Sequence, residues 1–152
     1  LVSFWSYLMV FALSMVPVIE LKGAIPVGMA AGIPDWQCFV LAVLGSIAMS
    51  PLIIFFTRRV LDWLMNSKVE LFRRFGNWQH RRLLRKGGRI EKYRVWFLFL
   101  FVAIPLPTTG VWTGSMIAGL FDIRMKTAIP VIFLGNCVAG LLIWLIWGFA
   151  TG

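Results

Sequence analysis

The chain has 152 residues, 60% of them hydrophobic and only 14% charged, where a soluble domain averages about 45–50% apolar and about 25% charged residues. That balance excludes an ordinary soluble domain and leaves one compact membrane unit over residues 1–152 rather than two independent domains. Fifteen Lys and Arg against six Asp and Glu give a net charge of +9. Twelve of those basic residues lie between Arg58 and Arg94, flanked by apolar runs. They read as a cytoplasmic loop obeying the positive-inside tendency, and no nucleic acid is expected as partner.

The first apolar segment runs from Val2 to Ile19. No basic region precedes it and no small-residue cleavage pattern follows it, so a cleaved signal peptide is not expected. A polar tip, Glu20-Leu21-Lys22-Gly23-Ala24-Ile25-Pro26, comes next, then a short apolar piece, Val27–Ile33, ending at Pro34-Asp35. Trp36–Phe56 is long enough to cross a hydrocarbon core of about 30 Å at about 1.5 Å per residue. The basic stretch Thr57–Arg94 interleaves charge with Leu61, Leu64, Met65, Phe72, Phe75 and Trp78. It predicts an amphipathic helix on an anionic leaflet, with membrane lipids as partners. His80 there is expected to be solvated, and Gly87-Gly88 to form a turn. Val95–Ile104 breaks at Pro105-Leu106-Pro107-Thr108-Thr109-Gly110; Val111–Phe121 follows and ends at Asp122. Ala128–Ala150 forms the second long apolar segment. Cys38 and Cys137 lie in apolar runs and read as buried free thiols.

The two halves match at an offset of 87 residues: Gly23 with Gly110, Met29 with Met116, Ala31-Gly32 with Ala118-Gly119, Asp35 with Asp122. A three-residue insertion then pairs Leu44-Gly45 with Leu134-Gly135. This order of elements predicts an internal duplication: repeat one over 1–56, a basic cytoplasmic loop over 57–94, and repeat two over 95–152. Each broken pair is either a re-entrant hairpin or one long broken crossing. Hairpins put Arg124 and Lys126 on the side of the basic loop and both termini outside; broken crossings put both termini inside. The positive-inside tendency favours hairpins. The expected fold is therefore an all-α, multi-pass cell-membrane protein of two inverted repeats, each a re-entrant helical hairpin plus a transmembrane helix.

Glu20 is the first charge after the run Val2–Ile19. An acid at membrane depth costs about 2.5–3.5 kcal/mol on insertion scales, so it is expected to face a cavity or a partner and to bind a proton or cation. The bland readings are an ion pair with Lys22, a cap on a helix starting near Gly23, or a place at the interface. Lys22 either contacts an anion or snorkels. On an unwound tip ending at Pro26 the two side chains converge; on a continuous helix they diverge. At the second tip, Pro105 and Pro107 remove backbone donors. Thr108, Thr109 and the amides of the helix starting at Gly110 either grip an anionic group or satisfy the broken backbone. Asp35 and Asp122 read best as N-caps. Asn136 lines a path or bonds across a helix contact. The small residues Gly28, Ala30, Ala31, Gly32, Gly114, Ser115, Ala118 and Gly119 allow close helix approach.

No phosphate loop, dinucleotide-type glycine pattern, nucleophile elbow or His-metal pair is present in the sequence, so neither a metal, a cofactor nor an enzyme activity is expected. At Glu20–Pro26 and at Ile104-Pro105-Leu106-Pro107-Thr108-Thr109-Gly110-Val111-Trp112-Thr113-Gly114, over nearly the whole chain, the sequence resembles the small multidrug export protein family. That family is in turn similar, more distantly, to the DedA/VTT membrane proteins. The resemblance implies paired re-entrant hairpins, an acidic hairpin residue matched here by Glu20, and translocation of lipids or lipid phosphates. The DedA-like second hairpin carries an arginine near its proline; here Thr108 and Thr109 stand instead, so phosphate recognition would fall to Lys22 or the basic loop.

The expected function is that of a small secondary transporter or lipid flippase, proton-coupled through Glu20, moving an amphiphilic or isoprenoid-phosphate-like substrate. The alternatives are a multidrug or cation exporter, and a non-transporting scaffold whose basic loop binds anionic lipid or a partner. Two crossings hardly enclose a path, so a homodimer is expected, and a functional monomer in single-molecule photobleaching would count against it.

Overall fold

A computed structural model describes residues 2–84 and 89–151, without the side chains of residues 79, 80, 82–84, 89, 90 and 151. The His80 side chain and the Gly87-Gly88 turn lie outside what is described. The described residues form seven helices and no strand: α1 Phe4–Met15, α2 Glu20–Ala30, α3 Asp35–Met65, α4 Glu70–Leu84, α5 Arg89–Ala103, α6 Val111–Leu120 and α7 Met125–Thr151. Only α3 and α7 are long and apolar enough to cross a membrane. At about 1.5 Å per residue they measure about 46 Å and about 40 Å.

Several expected boundaries move. The polar tip Glu20–Pro26 is helical, and Pro26 lies inside α2. It is tolerated because only the Lys22 carbonyl loses its helical donor. The loop limits at 56/57 and 94/95 fall within α3 and α5. Leu61, Leu64 and Met65 therefore belong to the long helix, and the basic amphipathic helix is the narrower α4. Its Leu71, Phe72, Phe75 and Trp78 are exposed, while Gly76 packs directly on Met65 of α3.

The short helices fold back on one another. Val10 on α1 lies against Gly28 on α2, and Val2 is near Gly32. Val102 on α5 lies against Gly114 on α6, and Arg94, near the start of α5, donates to the Phe121 carbonyl just beyond α6. Two buried clusters result. One joins Val10, Leu21, Ala24, Ile25 and Cys38; the other joins Ile54, Leu98, Val102, Val111 and Ile132. The exterior is also apolar: Phe4, Trp5, Leu44, Phe55, Trp96, Phe97, Leu141 and Ile146 are exposed. A water-facing monomer rarely exposes so many large apolar side chains.

The local geometry recurs at 90 residues, not 87. Helices α2 and α6 end in the same motif. Gly32 and Asp122 adopt positive φ (81° and 52°). Ile33 N donates to the Gly28 carbonyl at 3.1 Å, and Ile123 N to that of Ala118 at 2.9 Å. These are Schellman endings, each closed by a buried isoleucine. Helices α3 and α7 start at Asp35 and Met125, and Gly45 and Gly135 meet the backbone oxygens of Phe11 and Phe99. Asp35 and Asp122, paired by the 87-residue offset, do not take equivalent places in these geometries. Nor is either an N-cap. Asp35 is the first residue of α3, where its charge suits the helix dipole. Asp122 takes the left-handed conformation that Asp tolerates better than most residues. Its carboxylate lies 3.7 Å from the Arg58 guanidinium, which also donates to the Ile123 carbonyl at 2.5 Å.

Candidate functional site

The breaks of the two helix pairs meet at Glu20. This residue opens α2 with φ 43°, an uncommon conformation outside glycine. Its backbone N–H is held by the Val16 carbonyl at 2.9 Å, and its side chain turns away from α2 toward α6. The residue is 3% exposed. Its Oε1 accepts from the Trp112 backbone N–H at 3.0 Å. The carboxylate thus caps α6, a neighbour distant in sequence, rather than its own helix near Gly23. The free amides and dipole of a helix start favour a negative group there.

Gly110 makes this approach possible. It precedes α6 with φ 156° and ψ −163°, backbone geometry open essentially to glycine. A Cβ at this position would overlap Glu20 Oε2.

Lys22 completes the junction from the other side. Its Nζ donates to the carbonyls of Leu106 and Thr109 and lies 3.9 Å from Glu20 Oε2. The convergence foreseen for an unwound tip occurs on a helix, because Glu20 leaves the regular backbone at the first residue. Lys22 therefore neither snorkels nor stands free for an anion. Pro105 and Pro107 flank Leu106 and supply no N–H, so the helical ladder stops where Lys22 takes up the Leu106 carbonyl. Trp112 adds a tie in the opposite direction, its indole Nε1–H donating to the Met15 carbonyl at 3.0 Å.

The threonines divide their roles. The Thr109 hydroxyl donates to the Ile104 carbonyl at 2.5 Å and accepts from Leu106 N–H at 3.0 Å, so it serves the broken backbone rather than a ligand. Thr108 is exposed, and its carbonyl accepts from the Thr113 hydroxyl at 2.8 Å.

Of the expected site residues, Glu20, Lys22, Pro105, Pro107, Thr109 and Gly110 come together. Pro26 lies six residues from Glu20, about 9 Å along α2. Asn136 stands apart as well, its Nδ2 donating to Ser46 Oγ at 2.6 Å. Sequence reasoning passed over Trp112, whose two N–H groups both act at the junction, and Ser46 and Ser50, and it took Ser115 only as a small residue allowing close helix approach. An i, i+4 pair of serines inside the apolar Trp36–Phe56 run was the available signal for Ser46 and Ser50.

A groove of about 600 Å³ begins at Trp112 and runs between α3, α6 and α4. Met49, Ile53, Phe56, Phe75 and Met116 are among its lining residues, and no charged residue contributes. Among the described residues no group of His, Cys, Asp or Glu could hold a metal ion.

A family model described as "Putative small multi-drug export protein" matches residues 20–142, from the junction carboxylate into the last helix. Comparison with curated proteins and with solved structures returned no match.

Proposed function

We propose, from the premise that this chain belongs to the small multi-drug export family, that it carries amphiphiles across a membrane and that Glu20 is the coupling carboxylate. The observation that carries the reading is the junction itself: one buried carboxylate holds the start of α6, while Lys22 of the same tip holds the break before it. Anything that neutralises or engages Glu20 weakens the contact joining the two tips. A proton or a cationic cargo does so, and the two compete for one group.

The membrane arrangement we propose is two inverted repeats, each a re-entrant hairpin (α1–α2, α5–α6) followed by a crossing helix (α3, α7). The recurrence at 90 residues supports it. Positions 20 and 110 touch each other, as do 46 and 136, which is what residues on a two-fold axis do. The tethering of Ile123 by Arg58 and of Phe121 by Arg94 supports placing the α6–α7 turn beside the basic segment, on the cytoplasmic side.

The cargo we propose is an apolar or cationic amphiphile rather than a lipid phosphate. Lys22 and the Thr109 hydroxyl are both committed to backbone carbonyls, and the exposed Thr108 hydroxyl carries no charge to match that of a phosphate. The uncharged groove ending at Trp112 offers apolar contact of the size typical of small-molecule sites, about 300–1,000 Å³.

The test is uptake of a lipophilic fluorescent cation into proteoliposomes under an imposed proton gradient, beside a labelled polyisoprenyl phosphate. The wild type is expected to move the cation, and Glu20→Gln to remain folded but lose gradient-driven movement, because Gln keeps the acceptor for Trp112 N–H and removes the charge. A Gln variant as active as wild type would sink the coupling role. Movement of the phosphate alone would overturn the cargo assignment.

A further inference from the structure

Away from the Glu20 junction, the interior holds a second polar cluster that the proposed mechanism does not use. Ser46 and Ser50 lie one turn apart on α3 and so share a face. Asn136 of α7 reaches Ser46 at 2.6 Å, and Ser115 of α6 reaches Ser50 at 2.8 Å. All three serines are fully buried and Asn136 is 1% exposed. The residues one helical turn away, Ile54 after Ser50 and Ile132 before Asn136, are buried aliphatic side chains.

The hydrogen bonds of this cluster do not close. The single hydroxyl hydrogen of Ser46 is shared between the Ala42 and Val43 carbonyls at 2.8 and 3.1 Å, and its oxygen accepts from Asn136. Ser50 and Ser115 satisfy one another once and retain lone pairs. Asn136 Oδ1 is buried and has no hydrogen-bond partner among the described residues. An amide acceptor left bare in an apolar interior costs about 1–3 kcal/mol, and native proteins seldom leave one so. Apolar packing between α3 and α7 would need no amide at this position.

The donor set is made of neutral oxygens only: one amide oxygen and three hydroxyls. Sulfur and imidazole, which soft metals prefer, are absent from it. Carboxylates, which Ca²⁺ and Mg²⁺ require to balance two charges, are absent as well. Neutral oxygens that replace a hydration shell suit an ion of single charge. Taken with the membrane placement proposed above, the Ser46–Asn136 pair of this cluster lies on the same two-fold axis as Glu20, between the crossing helices.

We propose that Asn136, Ser46, Ser50 and Ser115 form a binding site for a partly dehydrated monovalent cation. It is a second ion station beside the Glu20 junction.

The experiment is thermal unfolding of the purified full chain in detergent, followed by tryptophan fluorescence, in NaCl, KCl or choline chloride at equal ionic strength. Choline is too bulky to enter. Na⁺ or K⁺ is expected to raise the midpoint saturably by at least about 2 °C over choline, in keeping with stabilisation by a ligand that binds only the folded state. The salt that does so identifies the ion. Asn136→Leu is expected to abolish that difference. If this variant does not fold, the Ser50→Ala/Ser115→Ala double variant decides, since it keeps the Asn136–Ser46 bond. Loss of the ion-specific rise supports the site, and its persistence overturns it. Equal midpoints in all three salts overturn the proposal. So does a rise that survives Asn136→Leu but vanishes in Glu20→Gln, because the ion then belongs to the carboxylate. Glu20→Gln with an intact rise but no transport separates the two stations, and failure of the cation site leaves the reading of Glu20 standing.

Discussion

Replacing Gly110 by Ala tests the junction most directly. The backbone there is open essentially to glycine, and holding another residue in such a region costs about 1–3 kcal/mol. The new Cβ would also occupy the place of Glu20 Oε2. Driving the carboxylate off Trp112 N–H forfeits a charge-assisted hydrogen bond of about 1.5–3 kcal/mol. Together these predict a loss of about 2.5–6 kcal/mol, a large share of the roughly 5–15 kcal/mol typical of a folded protein. In a Glu20→Ala background the second cost disappears, and Gly110→Ala should then cost only the backbone strain. The two substitutions are therefore expected to be non-additive by about 1.5–3 kcal/mol. Unfolding free energies of wild type, both single variants and the double variant, from titration with SDS in mixed micelles, give the coupling. Costs that add to within about 0.5 kcal/mol would refute the claim that the carboxylate bears on Gly110.

Two smaller changes probe the surroundings. Trp112→Phe keeps the backbone N–H on Glu20 but removes the indole donor from the Met15 carbonyl. It should cost about 1 kcal/mol and raise the labelling rate of a cysteine introduced at the half-buried Ile19, in the α1–α2 break; unchanged labelling would show that this tie does not hold the break closed. At Gly45 an added Cβ would overlap Ser14 Oγ and lie 2.6 Å from the Phe11 carbonyl oxygen. Because that oxygen is backbone and yields little, Gly45→Ala should lose about 1–3 kcal/mol, and an unfolding midpoint equal to wild type would contradict the close α1–α3 approach.

The helical class, the two long apolar helices and the special character of both tips were legible in the amino-acid order. Uninterrupted apolar length and proline breaks are local properties, and they need no partner to be read. The prominence of Glu20 was legible for the same reason, since a lone acid after an uncharged run stands out by cost alone. Its partner was not. Glu20 caps α6 across a separation of 92 residues, and nothing near it in the chain distinguishes that role from capping its own helix. The 90-residue recurrence of local geometry was hidden in a similar way: identities at 87 residues arise easily in a chain rich in Gly and Ala, whereas the helix endings at Gly32 and Asp122 are equivalent in conformation and not in residue type. Proline also misled at Pro26, because packing of Leu21, Ala24 and Ile25 outweighs one missing hydrogen bond. By itself, then, the sequence determined which segments are apolar, where their polarity is costly and how charge is distributed along them. Only the tertiary structure decided which costly groups meet. Those pairings depend on helix approach set by glycines such as Gly110, Gly45 and Gly135, and on side chains that satisfy each other across the fold.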